Sequence, residues 1–121
     1  MAAEQKRLLI VEDQVSLLEL LSFYFTTKLG WEVVTAVSGA AALEAFAIGK
    51  FHMLLADVDL GDGLDGIEVA KRLRDQHPPL KVVMMSGEPK NEAKVREANV
   101  GAFMPKPFDL PDLGTMLCCE L

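Results

Sequence analysis

Only two cysteines occur in the 121 residues, and they are chain neighbours, Cys118 and Cys119. Adjacent cysteines rarely bridge, so no disulfide framework can be built and a secreted scaffold is not implied. Both read as apolar residues at a helix end. The two histidines, His52 and His77, have no second ligand at metal spacing, which argues against a zinc site. Basic residues are outnumbered: twelve Lys and Arg face eighteen Asp and Glu, giving a net charge of −6 and a pI near 4.8. No basic stripe is present to meet a phosphate backbone, so direct nucleic-acid binding is not expected. Long hydrophobic runs are missing as well, and the opening MAAEQKRLLIVEDQ breaks into acids too early for a secretory signal. A cytoplasmic location without membrane contact is the expectation. Linkers, internal repeats and low-complexity segments are absent too, which leaves residues 1–121 as one domain.

What is present is an ordinary globular composition, 50% hydrophobic and 25% charged, enough to build a core. Short apolar runs recur at Leu8 to Val11, Val33 to Ala36, Met53 to Ala56, Val82 to Met85 and Ala102 to Met104. Continuous aliphatic runs of this kind suit strands buried on both faces. Between them, apolar residues return at helical spacing: Leu18, Leu21, Phe25 and Leu29; Leu43, Phe46 and Ala47; Ile67, Ala70 and Leu73. The segment Lys90 to Asn99 has helical character but offers only Ala93, Val95 and Ala98 to a core, so it should pack weakly, with Glu92 and Arg96 paired along it. A last helix is expected from about Asp109, with Pro111 in its first turn, Leu110, Leu113 and Leu117 facing inward, and Gly114 weakening it. Five strands alternating with five helices imply right-handed crossovers and a parallel sheet covered on both sides, a three-layer α/β sandwich.

In such sheets ligands bind beyond the carboxyl ends of the strands. The runs hand over there to Glu12 and Asp13, to Asp57, to Ser86 and to Lys106. If the sheet is parallel, three carboxylates, a hydroxyl and an ammonium converge. Asp13 and Asp57, with a carbonyl and waters, suit octahedral Mg2+. A carboxylate can also attack phosphorus to give an aspartyl phosphate, with the metal and Lys106 balancing the charge of the moving phosphoryl group.

The stretch LLADVDLGDGLDG carries four aspartates, which repel one another unless a cation, a proton or solvent relieves them. Asp57 ends a buried strand and is the candidate nucleophile. Asp59 is placed to lend its carbonyl to the metal while its carboxylate edges the site. Asp62 and Asp65 stand among Gly61, Gly63 and Gly66, where turn formation and helix capping account for them. Trp31 and the six scattered methionines read as packing residues.

Four motifs together, LLIVED, LLADVDL, VVMMSG and GAFMPKPF, carry a resemblance over essentially the whole chain. The chain resembles the receiver domain of two-component response regulators, the family of the chemotaxis regulator. That resemblance implies a flavodoxin-like sheet in strand order 2-1-3-4-5 and Mg2+-dependent transfer of phosphate to Asp57 from a sensor histidine kinase or a phosphotransfer protein. It implies that Asp13, Asp57 and the Asp59 carbonyl hold the metal, with Glu12 helping through water, and that Ser86 and Lys106 contact the phosphoryl oxygens. It makes Ser86 and Phe103 the switch pair, the Lys106 to Pro107 bond cis, and the helix after Ser86, the last strand and the last helix the output face. That face would meet a downstream effector of unknown identity or a second copy of the chain. Such a chain catalyses only its own phosphorylation and dephosphorylation.

The pattern departs from the family at Gly61, where proline is common, and in a loop to Gly66 that is one residue longer. Asp59 and Glu88 occupy the positions that tune phosphate lifetime in the family. Two rivals use the same aspartates, and a third reading does without them. DVDLG is similar to the nucleophile motif of haloacid dehalogenase phosphatases, although in those enzymes the motif precedes the metal acids. Asp57, Asp59, Asp65 and Glu68 fall at EF-hand ligand positions, with Asp62 where glycine should be. The third is a binding module that works without phosphorylation.

Overall fold

In a computed structural model, described for residues 5–61 and 64–118, β1 (Arg7–Val11), β2 (Glu32–Ala36), β3 (Met53–Asp57), β4 (Lys81–Ser86) and β5 (Ala102–Pro105) form one sheet in the order β2-β1-β3-β4-β5. All four pairings are parallel. Five helices connect them: α1 (Val15–Thr27), α2 (Gly39–Ile48), α3 (Gly66–Gln76), α4 (Asn91–Ala98) and α5 (Leu110–Cys118). The strand-and-helix alternation, the parallel sheet and the strand order are those expected from the apolar runs and the resemblance.

Alternation along each strand feeds two separate cores. Leu9, Val11, Leu54, Ala56, Val82 and Met84 point to the side of α2, α3 and α4, where Ala42, Phe46, Val69, Leu73 and Val95 meet them. Leu8, Ile10, Met53, Leu55, Val83 and Met85 point to the other side, under Leu18, Leu21 and Phe25 of α1 and Leu113 and Leu117 of α5. Residues alternate by face, yet every one of them is apolar, which explains why β3 reads as an unbroken apolar run and is buried throughout.

Local signals explain most element ends. Ser38 caps α2 by accepting the Ala41 N–H at 3.1 Å, and Asp65 caps α3 by accepting the Glu68 N–H at 2.8 Å. Trp31 is buried just ahead of β2 and stacks on Phe25 with ring centroids 5.2 Å apart. Leu29 departs from its expected place, because α1 stops at Thr27 and the chain turns through Gly30 at φ 69°. Leu29 still touches α5: a Cβ on Gly114 would lie 3.1 Å from its Cδ1, so the glycine that weakens α5 also lets it settle there.

Helix α4 is short, as its weak apolar pattern requires. Val95 is buried, Ala98 half-buried and Ala93 exposed, and Arg96 pairs with Glu92 at 3.4 Å. Its other buried residue is polar, Asn91. In α5, Leu113 and Leu117 are buried and Leu110 is half-buried. Cys118 is the last residue of α5, at the helix end as expected, and is exposed; Cys119 and Asp62 lie outside the described residues, and so does part of the loop expected to be longer. No helix among the described residues is long and apolar enough to cross a membrane.

Two truncations separate core from surface. Leu9→Ala, at a fully buried position, is expected to lower unfolding free energy by about 2–5 kcal/mol. Ile48→Ala, at a position 91% exposed, should stay within about 0.5 kcal/mol of the native chain in the same urea titration.

Candidate functional site

The carboxyl ends of β1, β3, β4 and β5 deliver their polar residues to one rim. Backbone pairing continues past the strands and fixes them: Glu12 N–H donates to the Ala36 carbonyl, Val58 N–H to Met85 and Lys106 N–H to Ser86. Asp57 is the last residue of β3 and is 5% exposed, so its backbone cannot drift. The first residue of α3 presses directly on it, since a Cβ on Gly66 would lie 1.9 Å from the Asp57 carbonyl oxygen. Only glycine permits that approach.

At the centre of the rim, the Lys106 ammonium donates to Glu12 Oε1 at 3.1 Å and to Asp57 Oδ2 in a closer contact. Asp57 Oδ1 accepts the Asp59 N–H at 2.7 Å. Glu12 Oε2 accepts the Gln14 N–H at 3.0 Å. The Lys106–Pro107 peptide bond is cis.

Two acids thus share one ammonium. Burial is the largest influence on Glu12 and pushes its carboxyl up to about 7, helped by the neighbouring Asp57 carboxylate and opposed by the Gln14 N–H and Lys106. For Lys106, burial pulls downward, but the hydrogen bonds and charges of Asp57 and Glu12 outweigh it and hold the ammonium above its ordinary range.

The remaining expected residues split between this cluster and a second one beside it. Asp13 is exposed and its Oδ2 lies beside Gly61, whose Cβ would come within 3.0 Å of it. Ser86 is buried, and its hydroxyl donates to Asp59 Oδ2 at 3.2 Å, so the structure couples it to Asp59 and not to Asp57. The Asp59 carboxylate also accepts from Asn91 Nδ2 at 3.0 Å. Phe103 is half-buried against the core cluster that includes Val95 of α4. Glu88 is exposed and enters through its backbone, donating its N–H to Ser86 Oγ at 3.0 Å. Asp65 is occupied as a helix cap and Asp57 arrives on a strand, which removes the EF-hand rival.

Asn91 was not anticipated from the sequence. It is 1% exposed and bonds both Asp59 and Ser86. An asparagine at the start of a polar helix reads as a cap, and no local pattern betrays that its side chain points inward.

The shared charge has a measurable consequence. Folded Glu12 holds its proton up to about 7, against an ordinary value of 4.5, so its contribution to stability is complete below the lower value and is lost as pH rises through the upper one. Urea unfolding in chelator between pH 5 and 8 should show the native chain losing stability relative to Glu12→Gln as pH rises. Parallel curves would contradict the assignment.

Residues 8–117 match the family model described as the response regulator receiver domain. The chain is 36% identical over 105 residues to the alkaline phosphatase synthesis transcriptional regulatory protein PhoP of Bacillus subtilis, covering 85% of this chain and 43% of that protein. It therefore spans less than half the length of that relative. A CheY-like receiver domain protein from Methanospirillum hungatei superposes with a TM-score of 0.82 at 27% identity, over 91% of this chain and 88% of that one. The response regulator TrrA of Thermotoga maritima, solved in complex with Mg2+ and BeF, gives a TM-score of 0.82 at 25% identity, over 91% and 94% of the two chains. With its sheet order, its rim of strand-end residues and a family match over nearly its full length, the chain belongs to the response regulator receiver domains.

Proposed function

We propose that this chain is a phosphorelay receiver in which Asp57 accepts a phosphoryl group from the phosphohistidine of a sensor histidine kinase or a phosphotransfer protein. The observation that carries the proposal is the Lys106 ammonium held between Asp57 and Glu12 at the mouth of the sheet. An Asp57 oxygen forms the new O–P bond while the N–P bond of the donor breaks and the imidazole nitrogen leaves with the electron pair. Lys106 already sits on the nucleophile and can follow the charge onto the phosphoryl oxygens, which is most of what this reaction asks of a protein. Ser86, once turned from Asp59, supplies a hydroxyl proton to the same oxygens.

The donor set fits Mg2+. Among the described residues no three Asp, Glu, His or Cys side chains form a closed cage. Magnesium seldom takes one, preferring one or two carboxylates and several waters. Asp13, Asp57 and the Asp59 carbonyl are the proposed ligands, with Glu12 acting through water. When bound, the ion would neutralise charge on the transferring phosphoryl group.

The chain is a signalling domain that catalyses only its own phosphorylation and dephosphorylation, and its setting is the cytoplasm. Residues 1–121 form a single receiver domain. Beside the rim, α1 exposes Val15 and Phe23 along an open groove of about 530 Å³ that Leu18 and Thr35 also line, a suitable face for a helical phosphodonor. Output passes through α4, β5 and α5, with Phe103 following Ser86, toward an effector or a second copy of the chain.

Incubation with phosphoramidate and Mg2+, read by intact mass, should add one phosphoryl group to the native chain and none to Asp57→Asn; equal gain on both would move the acceptor elsewhere. Chelating the metal should abolish uptake. Lys106→Ala should slow it by roughly 10²-fold or more, whereas an unchanged rate would remove Lys106 from the chemistry. Steady turnover of p-nitrophenyl phosphate would instead support the phosphatase rival.

A further inference from the structure

Ser86, Asp59 and Asn91 form a closed hydrogen-bonded ring beside the acceptor. Ser86 Oγ donates to Asp59 Oδ2 at 3.2 Å, and Asn91 Nδ2 donates to Asp59 Oδ2 at 3.0 Å and to Ser86 Oγ at 2.9 Å. The Glu88 N–H fills the other acceptor site of Ser86 Oγ at 3.0 Å. A serine hydroxyl has one proton and two lone pairs, and an asparagine amide nitrogen has two protons. Every one of these is committed. Ser86 therefore has no proton for a phosphoryl group on Asp57 until its bond to Asp59 breaks.

We propose that Asn91 is a positioning residue that latches the Ser86 hydroxyl onto Asp59 and holds the receiver in its resting state. The inference rests on Asp57 being the phosphoacceptor. Asn91 suits this role because it is 1% exposed, so water cannot replace a broken partner without the helix moving. It is also the first residue of α4, and its own N–H donates to the Glu88 carbonyl at 3.0 Å. Release of Ser86 therefore loosens the first turn of the most weakly packed helix of the sheet's α2–α4 side. The latch links the chemistry at Asp57 to the surface of α4 through two side chains.

A latch that favours the resting arrangement lowers the population competent to accept phosphate. Asn91→Leu, which keeps the branched heavy-atom skeleton and removes both donors, should accept phosphate from phosphoramidate about two- to tenfold faster than the native chain, the size of one net hydrogen bond. In a Ser86→Ala background the same substitution should change the rate by less than about 1.5-fold, because the hydroxyl it restrains is gone. A rate increase that persists without the Ser86 hydroxyl, or no increase with it, would overturn the latch.

Should Asn91→Leu fail to fold, the native protein still decides the matter by NMR. The Asn91 side-chain amide protons should exchange slowly with solvent before phosphorylation and markedly faster after it; equal exchange in both states would overturn the proposal. If the native chain takes up no phosphoryl group at all, the acceptor assignment has failed. If Asp57 is phosphorylated normally and the Asn91 measurements fall as stated against it, only the latch has failed.

Discussion

The site depends on one ammonium placed between two buried carboxylates. Glu12 and Asp57 are brought together by neighbouring strands, and without Lys106 they would face each other in a setting that favours neutral forms. Losing one partner from a buried ionic cluster typically costs about 3–5 kcal/mol, far more than a surface pair is worth. The Arg72–Glu68 and Arg96–Glu92 pairs on exposed helix faces are of that weaker kind. Charge is therefore concentrated where the sheet ends, and the carboxyl of Glu12 stays raised because burial, with Asp57 beside it, outweighs what Lys106 and the Gln14 N–H offer.

Such a cluster needs a stiff foundation. β1, β3 and β4 supply it, because side chains from both faces of each are locked into one of two apolar cores. The strand-end residues inherit that rigidity through ladder bonds that run one residue past the strands. Gly66 adds a direct backbone contact that sets α3 against Asp57. Asp57 is thus held by rigid structure on both sides of the strand end.

The neighbouring region is built in the opposite way. α4 contributes Val95 to the core and relies on Asn91, Asp59 and Ser86 for its first turn. Hydrogen bonds of this kind are directional and switch as a unit when one partner leaves, whereas apolar packing yields only by degrees. A rigid Asp57 flanked by a helix anchored through polar side chains suits the proposed function, in which an added phosphate becomes a change of surface. Arg74 keeps the far end of α4 in place, bonding the carbonyls of Asn99 and Val100 at 3.3 and 3.1 Å.

Strand runs such as LLIV and VVMM announced a parallel sheet because only strands buried on both faces can be apolar without interruption, and the polar residue ending each run marked the rim. Capping by Asp65 and the pairing of Glu92 with Arg96 were likewise readable, being local and set by spacing alone. The end of α1 before Leu29, the exposure of Cys118 and the burial of Asn91 were not, since each depends on what packs across from it. By itself, then, the chain's own order of residues determined which elements form and which side chains reach the rim. Tertiary structure alone decided the partners: that Lys106 joins Glu12 to Asp57, and that Ser86 turns to Asp59 under the hold of Asn91. Apart from the five-residue step between Ser86 and Asn91, these bonds join residues dozens of positions apart and are fixed by distances that arise only when the layers have closed.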